Sequence, residues 1–359
     1  RITDILQVFA FDLLVNTYGN IPYSQALNNT IPFPKYDDAK TVTLDLLHRL
    51  DTCIAGLSGT SAGAFVGSEG ADLIYGADVS KWIKFAATLQ LKIGIRIAGV
   101  DATDASTAIT NAVKTGVFSS NADNASLPYD PSSPNNSNPI WNALILSGRH
   151  DFVPADLLVK TMVKWNDPRV PLYFTMYNGG YSGGTPGLAN GWTKSSYFTP
   201  VIQTPDYPGV LLTYWQAEFW LAEAVERGIS VGGTAQSHYN NAITASIEFW
   251  GGSAGDAATY LAQPSVNYAT ATGPWQEKLG YQEWIADYNM NWDSWTVIRR
   301  LGYPDIDVVS PPVGAKGNFP LRFTYPSNES ASNSVNWKAA VTALPGGQDV
   351  VSAKLFWEP

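Results

Sequence analysis

The sequence predicts an all-α fold: stacked helical hairpins, arranged as a partial solenoid, under a cover of long irregular loops. Three observations carry this. Apolar residues recur near 3.6-residue spacing in several windows. Neighbouring windows are separated by short turns, as antiparallel helical hairpins are. Strand signals are few and short.

The elements follow in order. Ile5, Val8, Phe9, Leu13 and Val15 mark a first helix that stops at Tyr18-Gly19-Asn20, and a proline-punctuated loop from Ile21 to Tyr36 follows. Thr41 to Leu57 is a second helix, with Thr41 or Thr43 as its expected cap, and Gly56 to Gly70 is a small-residue loop. Trp82, Phe85, Ala86, Leu89, Ile93 and Ile97 form one stripe of a long amphipathic helix, with Lys84, Lys92 and Arg96 on another stripe. Asp104 to Thr115 turns back against it and ends at Gly116. Ser119 to Pro139 reads as a surface loop, and short helices are expected near Trp141–Leu146 and Pro154–Trp165. Tyr173 to Pro208 is irregular, glycine-rich and aromatic, and a loop of that length inside a compact unit is commonly functional. Thr213–Gly228 and Thr234–Trp250 form a further pair. Ala235, Tyr239, Ala242 and Ile243 stand there where a tetratricopeptide repeat places its packing residues, although no 34-residue period is sustained. A last long helix spans Trp275 to Arg300, and the tail from Pro311 to Pro359 is loop with one helix near Val335 to Val341.

Composition narrows the function. At about 150 residues per domain, 359 residues allow two or three domains, but one large helical unit also absorbs the length. No apolar run approaches the ~20 residues of a membrane helix, and Arg1-Ile2-Thr3-Asp4 does not open a signal peptide. The residues given therefore read as a soluble domain, any signal or lipid anchor belonging to a precursor. The net charge of −9, with 22 basic residues scattered along the chain, argues against nucleic acid. Charged residues are only 15%, so the surface is rich in amides and hydroxyls beside many aromatics, which suits an uncharged polyhydroxyl ligand. Cys53 lies in an apolar stretch and reads as a buried thiol. His48, His150 and His238 lack metal-site spacing, and no metal or other cofactor is expected. The Asp123-Asn124 and Asp130 loop carries oxygen ligands that suit calcium, but it reads first as a solvated loop.

Catalytic patterns were weighed against context. G-x-S-x-G occurs at Gly180–Gly184 and Gly251–Gly255, yet a nucleophile elbow needs a strand entering, a helix leaving and a later histidine, and only His238 follows Ser182. Glu218 and Glu223, five residues apart on one helix, sit about 140° apart around its axis and cannot flank one glycosidic bond. Glu223 and Arg227 read as an i,i+4 ion pair. Trp82, Trp215, Phe219 and Trp250 belong to helical patterns and read as core. Tyr177, Asn178, Tyr181, Asn190, Trp192 and Tyr197 instead fall in the glycine-rich loop, where exposed rings stack on a sugar while amides bond its hydroxyls. These six are the candidate ligand contacts, with anchoring of the loop by ring burial as the competing reading. Catalytic and metal-ligating residues are not assigned.

Seven segments of familiar pattern keep one order along the chain. Tyr18-Gly19-Asn20-Ile21-Pro22-Tyr23-Ser24-Gln25-Ala26-Leu27 is similar to "yGdiPYseAl", with Asn20 where Asp is usual, and Pro34-Lys35-Tyr36-Asp37 also fits. The helix from Trp82 to Ala98 is similar to "W.kfan.Lklr...Ria", and Asn166-Asp167-Pro168-Arg169 to "ndPR". Ala217–Ala224 matches "aE..fllAEA", Arg299–Pro304 matches "RRtGyP", and Pro320–Pro326 with Glu329 and Asn333 matches "P.R..YP..E...N". Together the seven resemble the SusD-like (RagB/SusD) family of nutrient-binding outer-membrane lipoproteins of Bacteroidetes, and the resemblance implies one SusD-like domain over 1–359, preceded in the family by a lipid-modified cysteine and a first helix. It implies lipid anchoring on the extracellular face of the outer membrane, a SusC-like TonB-dependent transporter barrel as partner, and capture of an oligosaccharide or peptide without catalysis. Alternative functions are an all-α glycoside hydrolase and a helical-repeat scaffold for other proteins. The family's glycan contacts lie in variable loops, so the resemblance assigns no binding residue. It leaves buried contacts of Arg299 and Arg300 with Glu218 and Glu223 as the expected role of those motifs.

Overall fold

A computed structural model describes residues 1–60, 69–186, 188–306 and 319–359. Parts of the expected 56–70 and 311–359 loops, at 61–68 and 311–318, lie outside them. The architecture is all-α. Helices α1 (Ile2–Tyr18), α2 (Ala39–Ser58), α3 (Val79–Ile97) and α4 (Ala102–Thr115) come first. The middle of the chain holds α5 (Pro139–Trp141), α6 (Asp156–Lys164) and α7 (Val170–Tyr173). Next come α8 (Tyr214–Glu226), α9 (Ala235–Phe249), α10 (Ala254–Leu261), α11 (Trp275–Ala286) and α12 (Asn291–Leu301), then α13 (Glu329–Ser332) and α14 (Ser334–Ala343). The pairs α1–α2, α3–α4, α8–α9 and α11–α12 pack as neighbours.

Local chemistry sets the ends. The α2 cap is Asp38, whose carboxylate accepts from the Thr41 amide at 2.8 Å. Thr43 lies inside the helix and donates to the Ala39 carbonyl, so neither expected threonine is the cap. Asp78 and Asp101 cap α3 and α4, while Thr213 and Thr234 open α8 and α9 with reciprocal capping boxes. The expected single helix from 275 to 300 is two helices. Asn289 takes a positive φ of 68°, and Met290 donates to the Asp287 carbonyl to close the turn between α11 and α12. The expected 21–36 loop is closed by a two-stranded ribbon of β1 (Ile21–Pro22) and β2 (Tyr36–Asp37), and the expected 119–139 loop contains a strand, β3 (Ala125–Leu127), which pairs antiparallel with β4 (Gly209–Leu212) just before the α8 cap. The β3–β4 ribbon ties the two ends of the irregular middle region together.

Burial follows the predicted stripes. One core joins α1 to α4 with the face of α8 that carries Ala217, Trp220, Leu221 and Ala224. A second lies among α8 to α12, and a third gathers Val159, Met162, Tyr173, Phe174, Trp250 and Ile285 beneath the irregular region. Trp82, Trp215, Phe219 and Trp250 are all buried. Arg96 is only 2% exposed and pairs with Asp12 of α1 at 2.5 Å, so the expected polar stripe of α3 is in part an internal link to α1.

The segments that carried the family resemblance are largely buried ion pairs and polar bonds. Arg300 pairs with Glu223 of α8 and with Glu283 of α11, the latter at 2.8 Å. Arg299 donates to the backbone carbonyls of Asn16 and Leu321, each at 2.9 Å. Arg169 chelates Asp167, and Arg322 donates to Asp349 at 2.6 Å. Asn20, where the family pattern has Asp, accepts from the Ala39 amide at 2.9 Å, which needs only an oxygen acceptor. Glu218 differs from expectation: its partner is His238 of α9 at 2.7 Å, not an arginine.

Candidate ligand-binding site

Between α5 and the α8 cap the helices are short and the chain is largely irregular, and a cavity opens there. Its volume is about 570 Å³. The α5 segment contributes Pro139, Ile140 and Leu144, the strap before α6 contributes Phe152 and Pro154, and the irregular loop contributes Phe174 and Phe198. The floor is the start of the α11–α12 turn, where Trp284, Asp287, Tyr288, Asn289 and Asn291 converge. Apolar walls with a few polar groups at one end are the usual make-up of a small-molecule site.

Asp287 is fully buried. Its Oδ1 accepts from the indole N–H of Trp215 at 3.1 Å, whereas Oδ2 has no partner among the described residues. Burial, with the negative charge of Asp293 second, pushes this carboxyl well above the usual carboxylate range. A neutral carboxyl there can donate as well as accept. Tyr288 stacks on Tyr173 at 4.1 Å between centroids, which holds the floor rigid.

The six candidate contacts divide by what surrounds them. Trp192 is 42% exposed and stacks on His150 with centroids 3.9 Å apart. Tyr197 lies 6.1 Å from both rings and 5.2 Å from Phe198, which lines the cavity. Trp192 and Tyr197 thus continue the cavity wall outward as an aromatic rim, with His150 two residues from the cavity residue Phe152. Tyr177 and Asn178 form a tight turn: Tyr177 exchanges backbone bonds with Gly180, and Asn178 adopts φ 49°. Tyr181 packs against the third core and anchors the loop. The Asn190 side chain spans the loop, accepting from the Thr185 amide and donating to the Thr185 and Leu188 carbonyls, so its amide groups are already engaged.

The reading from sequence did not single out the floor. Trp284, Tyr288 and Asn289 belong to it, and the signal available was the amide-rich break Asp287-Tyr288-Asn289-Met290-Asn291 inside a helical pattern.

The serine motifs are structural. Ser253 caps α10 and shares a capping box with Asp256, while Ser182 lies in the loop strapped to α6 and its amide donates to Ser196. Glu218 and Glu223 face different partners, His238 on one side and Arg227 with Arg300 on the other. Asp123 receives Lys84 at 2.9 Å and the Ser119 amide at 2.8 Å, Asn124 accepts from the Tyr214 amide, and Asp130 accepts from the Ser132 amide in a turn. Among the described residues no cluster of three or more His, Cys, Asp or Glu is placed to hold a metal ion.

Comparison with known proteins gives a consistent picture. A SusD-like family model, described as starch-binding associating with outer membrane, matches residues 1–326. A SusD-like protein from Bacteroides thetaiotaomicron is 28% identical with a TM-score of 0.84, over 99% of this chain and 80% of that one. A chitin-binding SusD homologue from Flavobacterium johnsoniae is 28% identical with a TM-score of 0.86, over 99% and 80% of the two chains. A SusD homologue from Bacteroides uniformis is 26% identical with a TM-score of 0.86, covering 100% of this chain and 80% of that one. No curated protein matches the chain.

Proposed function

This chain belongs to the SusD-like family, and from that premise we propose that it is a non-catalytic, cell-surface nutrient-binding protein that captures a neutral oligosaccharide. In this reading residues 1–359 act as one domain, held by a lipid anchor on the extracellular face of the outer membrane. The domain serves as the lid of a SusC-like, TonB-dependent transporter barrel. Binding requires no cofactor.

The observation that carries the binding reading is the juxtaposition of the cavity with a rim made of exposed Trp192 and part-buried Tyr197. Phe198 joins the two, its ring lying 5.2 Å from Tyr197 while it lines the cavity. A pyranose presents a C–H face that stacks on an indole and hydroxyls that bond to amides and carboxyls, which is the chemistry available here. The starch of the family description and the chitin of the Flavobacterium johnsoniae homologue are both uncharged, in keeping with a chain of only 15% charged residues. A glycosidase needs two carboxyl groups flanking the scissile bond. Asp287 is the one carboxyl among the described residues lining this cavity, which supports capture over cleavage.

Calorimetric titration with malto- and chito-oligosaccharides tests the reading. Trp192→Ala is expected to weaken binding about three- to tenfold, the worth of one aromatic stacking contact, with the melting temperature unchanged. Undiminished affinity removes the rim from the site. Shortened sugars in the incubation mixture, abolished by Asp287→Asn, would establish an enzyme instead.

A further inference from the structure

Beyond the turn that floors the cavity, the chain exposes a second group of rings. Trp292 and Trp295 are three residues apart on α12 and share a face, and Phe323 of the tail packs beside them. The three ring centroids lie 5.3, 5.6 and 5.8 Å apart. Trp292 is 38% and Phe323 45% exposed, an unusual placement for such rings unless something covers them. The platform is rigid. Trp295 donates its indole N–H to the Pro320 carbonyl at 2.7 Å, and the Arg299 guanidinium sits 3.5 Å from its ring centroid.

Trp292 also walls a separate cavity of about 300 Å³ on this side of the turn, alongside Asn16, Asn289, Asn291 and the Lys92–Asp293 ion pair. An exposed indole beside amides and a paired charge is the chemistry of a sugar contact, and it does not suit a purely apolar partner, which would leave those polar groups unsatisfied. Asn289 and Asn291 line this cavity and the 570 Å³ cavity alike, so one short turn is the shared wall between them.

We propose that the Trp292–Trp295–Phe323 platform and its cavity form a second glycan-binding station, joined across the α11–α12 turn to the first, so that the protein selects an extended chain over a short fragment. This rests on the glycan reading above. The two stations act as linked sites on one ligand: a chain long enough to reach both gains the second contact without a second loss of translational freedom.

The test is a ladder of malto- and chito-oligosaccharides, from two to eight units, titrated calorimetrically into the wild type and into Trp292→Ala, Phe323→Ala and Trp192→Ala. Expected for the wild type is affinity that climbs with length. Trp292→Ala and Phe323→Ala remove that climb, costing the longest chains about tenfold and leaving the shortest unchanged, whereas Trp192→Ala weakens every length. Trp292→Phe, which keeps a ring, retains most of the length dependence and serves where the alanine variant unfolds. Length-independent binding by the wild type, or full length dependence in the Trp292→Ala and Phe323→Ala variants, overturns the second station while loss of binding in Trp192→Ala upholds the first. A wild type that binds no member of either ladder overturns both.

Discussion

At the scale of single residues, burial decides chemistry more than identity does. Cys53 is 0% exposed and its thiol lies 3.2 Å from a carboxylate oxygen of Asp4. Burial first, then that acceptor, pushes the thiol up to about 11, so the reactive thiolate is scarce at neutral pH. Expected is no labelling of the native protein by iodoacetamide at pH 8 and one label per chain in urea; fast native labelling would contradict the buried placement. His238 runs the opposite way. Burial disfavours its imidazolium, but Glu218 at 2.7 Å and the Gly232 carbonyl at 2.9 Å outweigh that and raise the pKa above the ordinary 6.5. The pair's contribution, on the order of 1 kcal/mol or less, is therefore complete below the unfolded-state pKa and is lost as pH rises through the raised folded value. Urea titrations from pH 5.5 to 8.5 should show wild-type stability declining over that window, and His238→Gln should remove this component of the decline. Equal slopes in both proteins would mean that the contact does not titrate.

At the scale of elements, part of the irregular region is strapped to the start of α6, and glycine is what permits the close approach. A Cβ on Gly183 would stand 2.5 Å from the backbone N and Cα of Asp156, because the loop lies flat against the start of α6. Gly184 donates to the Pro154 carbonyl at 2.8 Å and accepts from Asp156 at 2.9 Å, and Pro154 is part of the cavity wall. Gly183→Ala should therefore lift the strap, at about 1–3 kcal/mol of strain, and reduce oligosaccharide affinity more than any surface alanine in the same loop. Wild-type affinity in that variant would show that the strap does not shape the site. This also explains which elements were legible. The helices carry a 3.6-residue apolar period, and six of the main ones appear within a few residues of their expected bounds. Ribbon β3–β4 has too few residues to show a period, and its partners lie more than eighty positions apart. The α11–α12 break was signalled only by the amide-rich run from Asp287 to Asn291, in which Asn289 takes the left-handed conformation. At the candidate site, ring and glycine density marked the loop that carries Trp192 and Tyr197, whereas Trp284 and Tyr288 reach the cavity through the third core, which sequence spacing does not show.

At the scale of the whole molecule, separate hairpins are joined by buried charges. Arg96 ties α3 to α1 through Asp12, and Arg300 of α12 reaches both α8 through Glu223 and α11 through Glu283. The resemblance to the SusD-like family was readable because these contacts need particular residues at particular places in the chain, while ligand contacts placed on loops do not. Charges this deep are costly to desolvate and contribute little net stability as a set, yet removing one member strands the others. Arg300→Met leaves Glu283 without its cation and Glu223 with Arg227 alone, and a loss of about 3–5 kcal/mol in urea unfolding is expected. Adding Glu223→Gln and Glu283→Gln to Arg300→Met should recover part of that loss, since the one ion of this group then left unpaired is Arg227, which is part-exposed. Trp220 retains a hydrogen-bond acceptor in this triple variant, because its indole N–H, 2.9 Å from Glu283, can donate to a glutamine oxygen. A single variant as stable as the wild type, or a triple variant less stable than the single one, would show that the three helices are held by apolar packing alone. Oligosaccharide affinity, measured well below each variant's melting temperature, should stay at the wild-type value in the triple variant, because Arg300, Glu223 and Glu283 line neither of the two proposed stations.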